Sequence, residues 1–217
     1  IKAFENDQDI HASTASLIYN VPLNEITRDM RRLAKVMNFG VIYGLSAFGI
    51  AQQTELSVEE GAKFIETYLG TYPRVKEYLE ETIAKAKETG YVETLLGRRR
   101  YTPDLHSPRY PVRQAAERMA VNMPVQGTSA DIIKAAMVQV QRRLESDGMR
   151  SLMLLQVHDE LVFETPKEEE ESLSAMLRDL MPNAIQLDVP LKIDIKTGYT
   201  WGDMDVSQDA TPGEVTV

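Results

Sequence analysis

The chain has no cysteine, which excludes disulfides and thiolate metal centres and suits a reducing compartment. No apolar run approaches the roughly 18 residues of a membrane span, and no signal-peptide pattern opens the chain. A cytoplasmic protein with no membrane partner is therefore expected. Repeats and low-complexity tracts are absent, and hydrophobic and charged residues at 43% and 26% are ordinary globular values, which excludes disorder. The first residue is Ile1 rather than Met, so the start is expected to have been made by cleavage or cutting.

Basic charge is also scarce overall, the net charge being −9. The deficit is unevenly placed. Residues 1–150 hold 20 Lys+Arg against 19 Asp+Glu, and residues 151–217 hold 4 against 14. The basic side chains cluster at Arg28, Arg31, Arg32 and Lys35, at Arg98, Arg99 and Arg100, and at Arg109, Arg113 and Arg118. Solvated helix faces account for most such clusters, yet a local basic stripe on an acidic protein can bind phosphates.

Residues 28–43 have the apolar spacing of a helix and stop at Gly44, suited to the left-handed turn after a helix. Ser57-Val58-Glu59-Glu60 is a capping box that opens a helix to about Leu69. Pro73 fits a first helical turn, placing Val75, Tyr78, Leu79, Ile83 and Ala86 on one face before Gly90. Residues 91–101 read as two short strands turning near Gly97. A helical pattern runs from Val112 to about Leu144, with a bend or break expected around Pro124 and Gly127. Ser151 to Thr165 is apolar and extended around three polar residues, a hairpin. A helix from Lys167 to Met181 and a strand over Val189–Ile195 follow, and residues 203–217 form a flexible acidic tail. The order predicts an α+β fold with a helical subdomain, about 20–110, set into a sheet domain.

Arg31, Lys35, Phe39 and Tyr43 recur every four residues, so they share one helix face over about 18 Å. The guanidinium and ammonium suit a polyphosphate, and the aromatic faces can receive a sugar and a base. Gly40 removes a side chain beside that surface at roughly 1 kcal/mol of helix stability. An amphipathic helix with core aromatics would explain any one of them, but basic residues in line with the aromatics make a poor core face. The second constellation is Val157-His158-Asp159-Glu160. Adjacent carboxylates at a strand turn can hold a hard divalent cation, and Mg²⁺ takes one or two carboxylates plus substrate phosphates. Two-metal phosphoryl transfer needs ions about 3.5–4 Å apart, so a further carboxylate from elsewhere is expected. Alone, a polar hairpin tip gives the same pattern.

Together these stretches resemble the family A DNA polymerases. Arg31-x3-Lys35-x7-Tyr43-Gly44 is similar to the nucleotide-binding helix of that family's fingers, and Val157-His158-Asp159-Glu160 to its palm motif bearing a catalytic aspartate. Between them, Gly97-Arg98-Arg99-Arg100-Tyr101 and the stretch from Arg118 to Thr128 are similar to further family segments, in the same order. The resemblance covers about residues 1–202. It implies template-directed DNA synthesis in replication and repair, by two-metal nucleotidyl transfer from dNTPs to a primer 3′ end, with primer–template DNA as partner and two Mg²⁺ ions as cofactors. It implies a palm segment at 1–19, fingers at 20–110 inserted into an antiparallel-sheet palm continuing over 111–202, and a tail at 203–217.

Residue by residue, the resemblance gives Arg31 and Lys35 the incoming triphosphate, with His11 helping. Phe39 packs on the nucleotide's sugar and base, and Tyr43 holds the templating position until the fingers close. Asp159 and Glu160 are catalytic metal ligands. Arg118, Asn122, Gln126 and His158 contact the primer–template, and Arg98, Arg99 and Arg100 contact template phosphates. The family's other metal-binding aspartate lies in a palm motif that precedes Asp9-Ile10-His11, and no such motif is present. The expectation is an incomplete palm, a missing upstream polymerase segment and a fragment inactive alone. Two other readings compete. His-Asp phosphohydrolases also pair these residues on metal but need further histidines on helices, and this chain has only His11, His106 and His158. A non-catalytic DNA-binding module, or the partner piece of a split polymerase, would keep the fold without independent chemistry.

Overall fold

Thr27, Ser46 and Ser57 each turn a side-chain oxygen onto the first turn of a helix, accepting from the amides of Met30, Gly49 and Glu60. These bonds satisfy amides that have no partner inside the helix. In this computed structural model, which describes residues 1–6, 8–203 and 205–206, the helices are α1 (Lys2–Glu5), α2 (Ile10–Tyr19), α3 (Arg28–Ile42), α4 (Ala47–Gln53), α5 (Val58–Thr71) and α6 (Pro73–Thr89). Strands β1 (Tyr91–Glu93) and β2 (Arg99–Tyr101) follow, then α7 (Tyr110–Ser146), β3 (Leu152–Val157), β4 (Glu160–Glu164), α8 (Glu170–Leu180), β5 (Lys196–Thr197) and β6 (Asp205–Val206). The fold is α+β, mostly helical with antiparallel strand pairs β1–β2, β3–β4 and β5–β6. No helix among the described residues is long and apolar enough to cross a membrane.

The chain forms two compact units, Ile10–Thr128 and Ile1–Asp9 with Ser129–Val217. Helix α2 packs on α3.

In the Ile10–Thr128 unit, one core gathers Met37, Val41, Ile50, Phe64 and Tyr68 from α3, α4 and α5. A second joins Ala86, Val92, Leu105, Ala116 and Ala120 from α6, the β1–β2 region and α7. Helix α3 ends in a Schellman arrangement. Leu45 donates its amide to the Gly40 carbonyl at 2.7 Å, Gly44 donates to Val41 at 3.0 Å, and Gly44 takes φ +71°. That conformation penalises any residue with a Cβ. Gly40 serves packing: a Cβ there would meet the Leu45 side chain at 3.1 Å, so its missing side chain makes room for Leu45.

Of the bend or break expected in α7, the break does not occur: the helix runs unbroken through Pro124. Proline deprives the helix of the amide that would bond the Ala120 carbonyl, and two neighbouring carbonyls take side-chain donors. The Tyr78 hydroxyl donates to Val121 O at 2.9 Å, and the Thr128 hydroxyl donates to Pro124 O at 2.5 Å. Thr128 Oγ1 also accepts the Leu95 amide at 3.1 Å, tying the β1–β2 hairpin to the helix. Gly127 permits that approach, because a Cβ there would lie 2.6 Å from Thr94 Cγ2. Thr94 is buried and its hydroxyl accepts the Arg98 amide, so it cannot swing aside. Gly127→Ala should therefore destabilise the fold, because overpacking of about 1–3 kcal/mol exceeds a helix-propensity gain of about 1 kcal/mol. Urea unfolding should show a lower midpoint that Thr94→Ser partly restores; an unchanged midpoint would remove the steric account.

In the other unit, Val140 and Leu144 of α7 meet Leu173, Met176 and Leu177 of α8, with Met153, Phe163, Ile193 and Ile195 packed against them. The predicted strand at Val189–Ile195 has no ladder partner among the described residues; the pairing is Lys196 with Val206 and Thr197 with Asp205. The 189–195 stretch is extended enough to send Ile193 and Ile195 inward, which explains the alternating pattern without a sheet. Hairpin β3–β4 pairs Met153 with Phe163, Leu155 with Val162 and Val157 with Glu160, and a bulge at Leu154 shifts the register. Its loop is His158-Asp159, so Glu160 already belongs to β4. Of the expected tail, Met204 and residues 207–217 lie outside the described residues, while Asp205 and Val206 pair in β6.

Candidate functional site

Half of α3 is spent on packing and half on presentation. Ala34, Met37, Asn38 and Val41 are buried, while Arg31, Lys35, Phe39 and Tyr43 are half-buried on another face. The Phe39 and Tyr43 rings stack at 5.9 Å with 13° between planes. Lys35 Nζ lies 5.9 Å from the Phe39 centroid, and the His11 ring lies 5.6 Å from it at 56°. The structure thus brings His11, Lys35, Phe39 and Tyr43 together, with Arg31 one turn before Lys35. Arg32 is exposed and pairs with Asp29 at 3.4 Å, a surface contact of little energetic weight.

His11 is buried on α2, with Nδ1 2.9 Å from the Asn38 side-chain nitrogen. Asn38 is a residue that motif matching passes over. Its one sequence signal is a polar residue within an apolar stripe, since Ala34, Met37 and Val41 surround it at helical spacing.

Two further groups belong to the same unit. Arg118, Asn122 and Gln126 follow at four-residue intervals along α7, hence on one face; Gln126 is exposed and the others are half-buried. A Cβ at Gly44 would meet Arg118 Cγ at 3.2 Å, so the end of α3 lies against Arg118. Asn122 Oδ1 is buried without a hydrogen-bond partner among the described residues. Arg98, Arg99 and Arg100 are exposed at the β1–β2 hairpin. The Arg99 guanidinium lies 4.4 Å from the Tyr91 centroid and donates to Glu93 at 3.3 Å. Arg99 is therefore held on its own hairpin.

The carboxylates lie in the other unit. His158, Asp159 and Glu160 are exposed, and His158 adopts φ +53°, a left-handed conformation in which His is enriched. The Gln156 side-chain amide donates to the His158 carbonyl, which steadies the turn. At the hairpin's base, Glu169 accepts the Arg150 amide at 3.0 Å, the Ser151 amide at 2.9 Å and the Ser151 hydroxyl at 2.7 Å. The Arg150 amide first, then the Ser151 hydroxyl, hold the Glu169 carboxyl below its ordinary value. A lowered folded value means that this clamp stabilises the fold above the ordinary carboxylate range and loses its effect as pH falls through the lowered value. No motif marks Glu169; its role depends on Arg150 and Ser151 arriving from a separate turn.

Asp159 and Glu160 offer carboxylate oxygens, the donors that a hard cation takes. No group of three or more His, Asp or Glu side chains placed to hold a metal exists among the described residues. The pair fits the one or two carboxylates of a Mg²⁺ site that takes its remaining ligands from phosphates and water.

The sequence model of DNA polymerase family A matches residues 1–203. DNA polymerase I of Bacillus caldotenax is 49% identical over 203 residues, covering 94% of this chain and 23% of that protein. The thermostable DNA polymerase I of Thermus aquaticus is 48% identical over 201 residues, covering 93% of this chain and 24% of that protein. The chain therefore spans about a quarter of the length of these relatives. Among solved structures, the POL domain of Pol1 from M. smegmatis in complex with DNA primer-template and dNTP is similar, with TM-score 0.84 and 46% identity over 88% of this chain and 34% of that one.

Proposed function

The chain belongs to DNA polymerase family A, and from that premise we propose that it carries the nucleotide-binding helix and part of the metal site for template-directed DNA synthesis. The observation that carries this reading is the cluster on α3. A cation, two stacked rings and a buried imidazole meet at Phe39, with a second cation in line at Arg31. A deoxynucleoside triphosphate needs such a surface, cationic at one end and flat and apolar at the other.

In this reading Arg31 and Lys35 hold the triphosphate and His11 donates to it. Phe39 lies against the sugar and base, and Tyr43, stacked on Phe39, covers the templating position until a nucleotide enters. Asp159 and Glu160 would hold Mg²⁺, two ions in the complete enzyme, which when bound would activate the attacking oxygen and neutralise charge on the transferring phosphate. Arg118, Asn122, Gln126 and His158 face the primer–template. Arg98, Arg99 and Arg100 meet template phosphates, Arg99 with part of its charge already engaged by Glu93. Residues 20–110 act as fingers and residues 1–19 and 111–202 as palm. The setting is replication and repair in the cytoplasm.

The donor count bears on the 217 residues taken alone. Asp159 and Glu160 are adjacent on one turn, and Mg²⁺ gives up its waters reluctantly. Purified by itself, the chain is expected not to extend a primer with Mg²⁺ and dNTPs, while the complete polymerase does. Template-dependent extension by the isolated chain that disappears in Asp159→Ala would show that no further carboxylate is needed. A complete polymerase that binds primer–template but never extends it would favour the DNA-binding module.

A further inference from the structure

We propose that Asn38 is a positioning residue for nucleotide binding, holding the His11 imidazole in the Nε2–H tautomer so that a neutral ring offers an N–H donor beside Phe39. This rests on the assignment of His11 to the nucleotide site. The Asn38 amide nitrogen, which can only donate, lies 2.9 Å from His11 Nδ1, and in the proposed arrangement Nδ1 supplies the lone pair. The single proton of the neutral ring is then on Nε2. His11 and Asn38 are 6% and 4% exposed, so water does not compete for the bond.

The energetics point away from a purely structural role. Asn38 Oδ1 is buried with no hydrogen-bond partner among the described residues, which costs free energy. An apolar residue at 38 would complete the stripe of Ala34, Met37 and Val41 and avoid that cost. What asparagine adds is the donor aimed at His11. Its place on the helix is also telling, three residues after Lys35 and next to Phe39, so one short segment sets the cation, the ring and the imidazole. A neutral donor can hydrogen-bond a phosphate oxygen without placing a third positive charge next to Arg31 and Lys35.

The test uses the complete polymerase labelled with ¹⁵N-histidine, the His11 signals being assigned by their loss in His11→Gln. Long-range ¹H–¹⁵N correlation should show Nδ1 unprotonated and Nε2 protonated. A protonated Nδ1 in the wild-type protein overturns the proposal, and this measurement needs no Asn38 variant to fold. Kinetically, Asn38→Asp puts an acceptor against Nδ1 and should raise the dNTP KM about tenfold, the scale of one charge-assisted hydrogen bond, with a smaller change in kcat. On a His11→Gln background the same replacement should add less than about twofold, since residues acting through one contact are not additive. Fully additive penalties would overturn the positioning role. If His11→Ala leaves the dNTP KM unchanged, the nucleotide role of His11 falls, whereas the tautomer is decided independently by the spectrum.

Discussion

Asp159→Ala in the complete polymerase is expected to lower single-turnover nucleotide incorporation by about a thousandfold or more, while primer–template affinity changes only a fewfold. The large effect follows from position and chemistry together. Asp159 is exposed in the two-residue loop between β3 and β4. The strain at His158, the Gln156 bond to its carbonyl and the Glu169 clamp all remain, so the hairpin should keep its shape. What is lost is one of two adjacent carboxylates able to hold Mg²⁺. Removing a single preorganised electrostatic contact at a reacting centre costs about 10²–10³ in rate, and loss of a cation held there should reach the upper end. Asp159→Asn should behave alike, because the amide keeps the shape and loses the charge. Retention of more than a tenth of the rate by either variant would take Asp159 out of the metal site.

Lys35→Ala should act on the substrate. In the proposed site its ammonium meets the triphosphate, and charge-assisted hydrogen bonds contribute about 1.5–3 kcal/mol, so the dNTP KM should rise about 10- to 100-fold. Some loss of kcat should accompany it, because charge on the triphosphate changes as the bond to the leaving pyrophosphate breaks. The structure adds a second contribution, since Lys35 Nζ also lies over the Phe39 ring. That contact is worth about 0.5–1 kcal/mol at an exposed site, so Lys35→Met, which keeps the stem and loses the charge, should fall short of wild type in both respects. Lys35→Arg should retain much of the affinity. Steady-state kinetics with the complete enzyme decides the matter: an unchanged kcat/KM for Lys35→Ala would exclude Lys35 from the nucleotide site.

Helix boundaries were legible at several places where a local device sets them, though α4, capped by Ser46, was not read from the sequence. The Ser57–Glu60 box forms both of its reciprocal bonds, at 3.2 and 2.8 Å. Pro73 begins α6, Gly90 ends it with φ +81°, and Gly44 ends α3. Pro124 shows the limit of local rules. A proline inside a helical pattern signals a bend or break, yet α7 continues through it. The alternation at Val189–Ile195 similarly reveals which side chains turn inward but not whether another backbone pairs with the segment. At the site, the residues with charged or aromatic chemistry stood out by spacing. Asn38 did not, because a buried polar residue acquires meaning only from its partner, here on another helix. Gly40 was legible as special but for another reason, its missing side chain making room for Leu45.

The bulge in β3 bears on how this hairpin tolerates insertions and deletions. In a regular strand, residues of one face are two apart, yet Met153 and Gln156, opposite Phe163 and Leu161, are three apart because Leu154 is the extra residue. Losing one residue from a regular strand would turn everything beyond it to the opposite face. Here, losing Leu154 would bring Met153 and Gln156 to the regular spacing, keep both opposite their present partners, and leave the Asp159 loop in phase. The strand carries one residue of slack, and removing it would relax the local twist that a bulge imposes without reversing the faces. A residue lost between Gln156 and His158 meets no such slack and would change the phase of the carboxylates themselves.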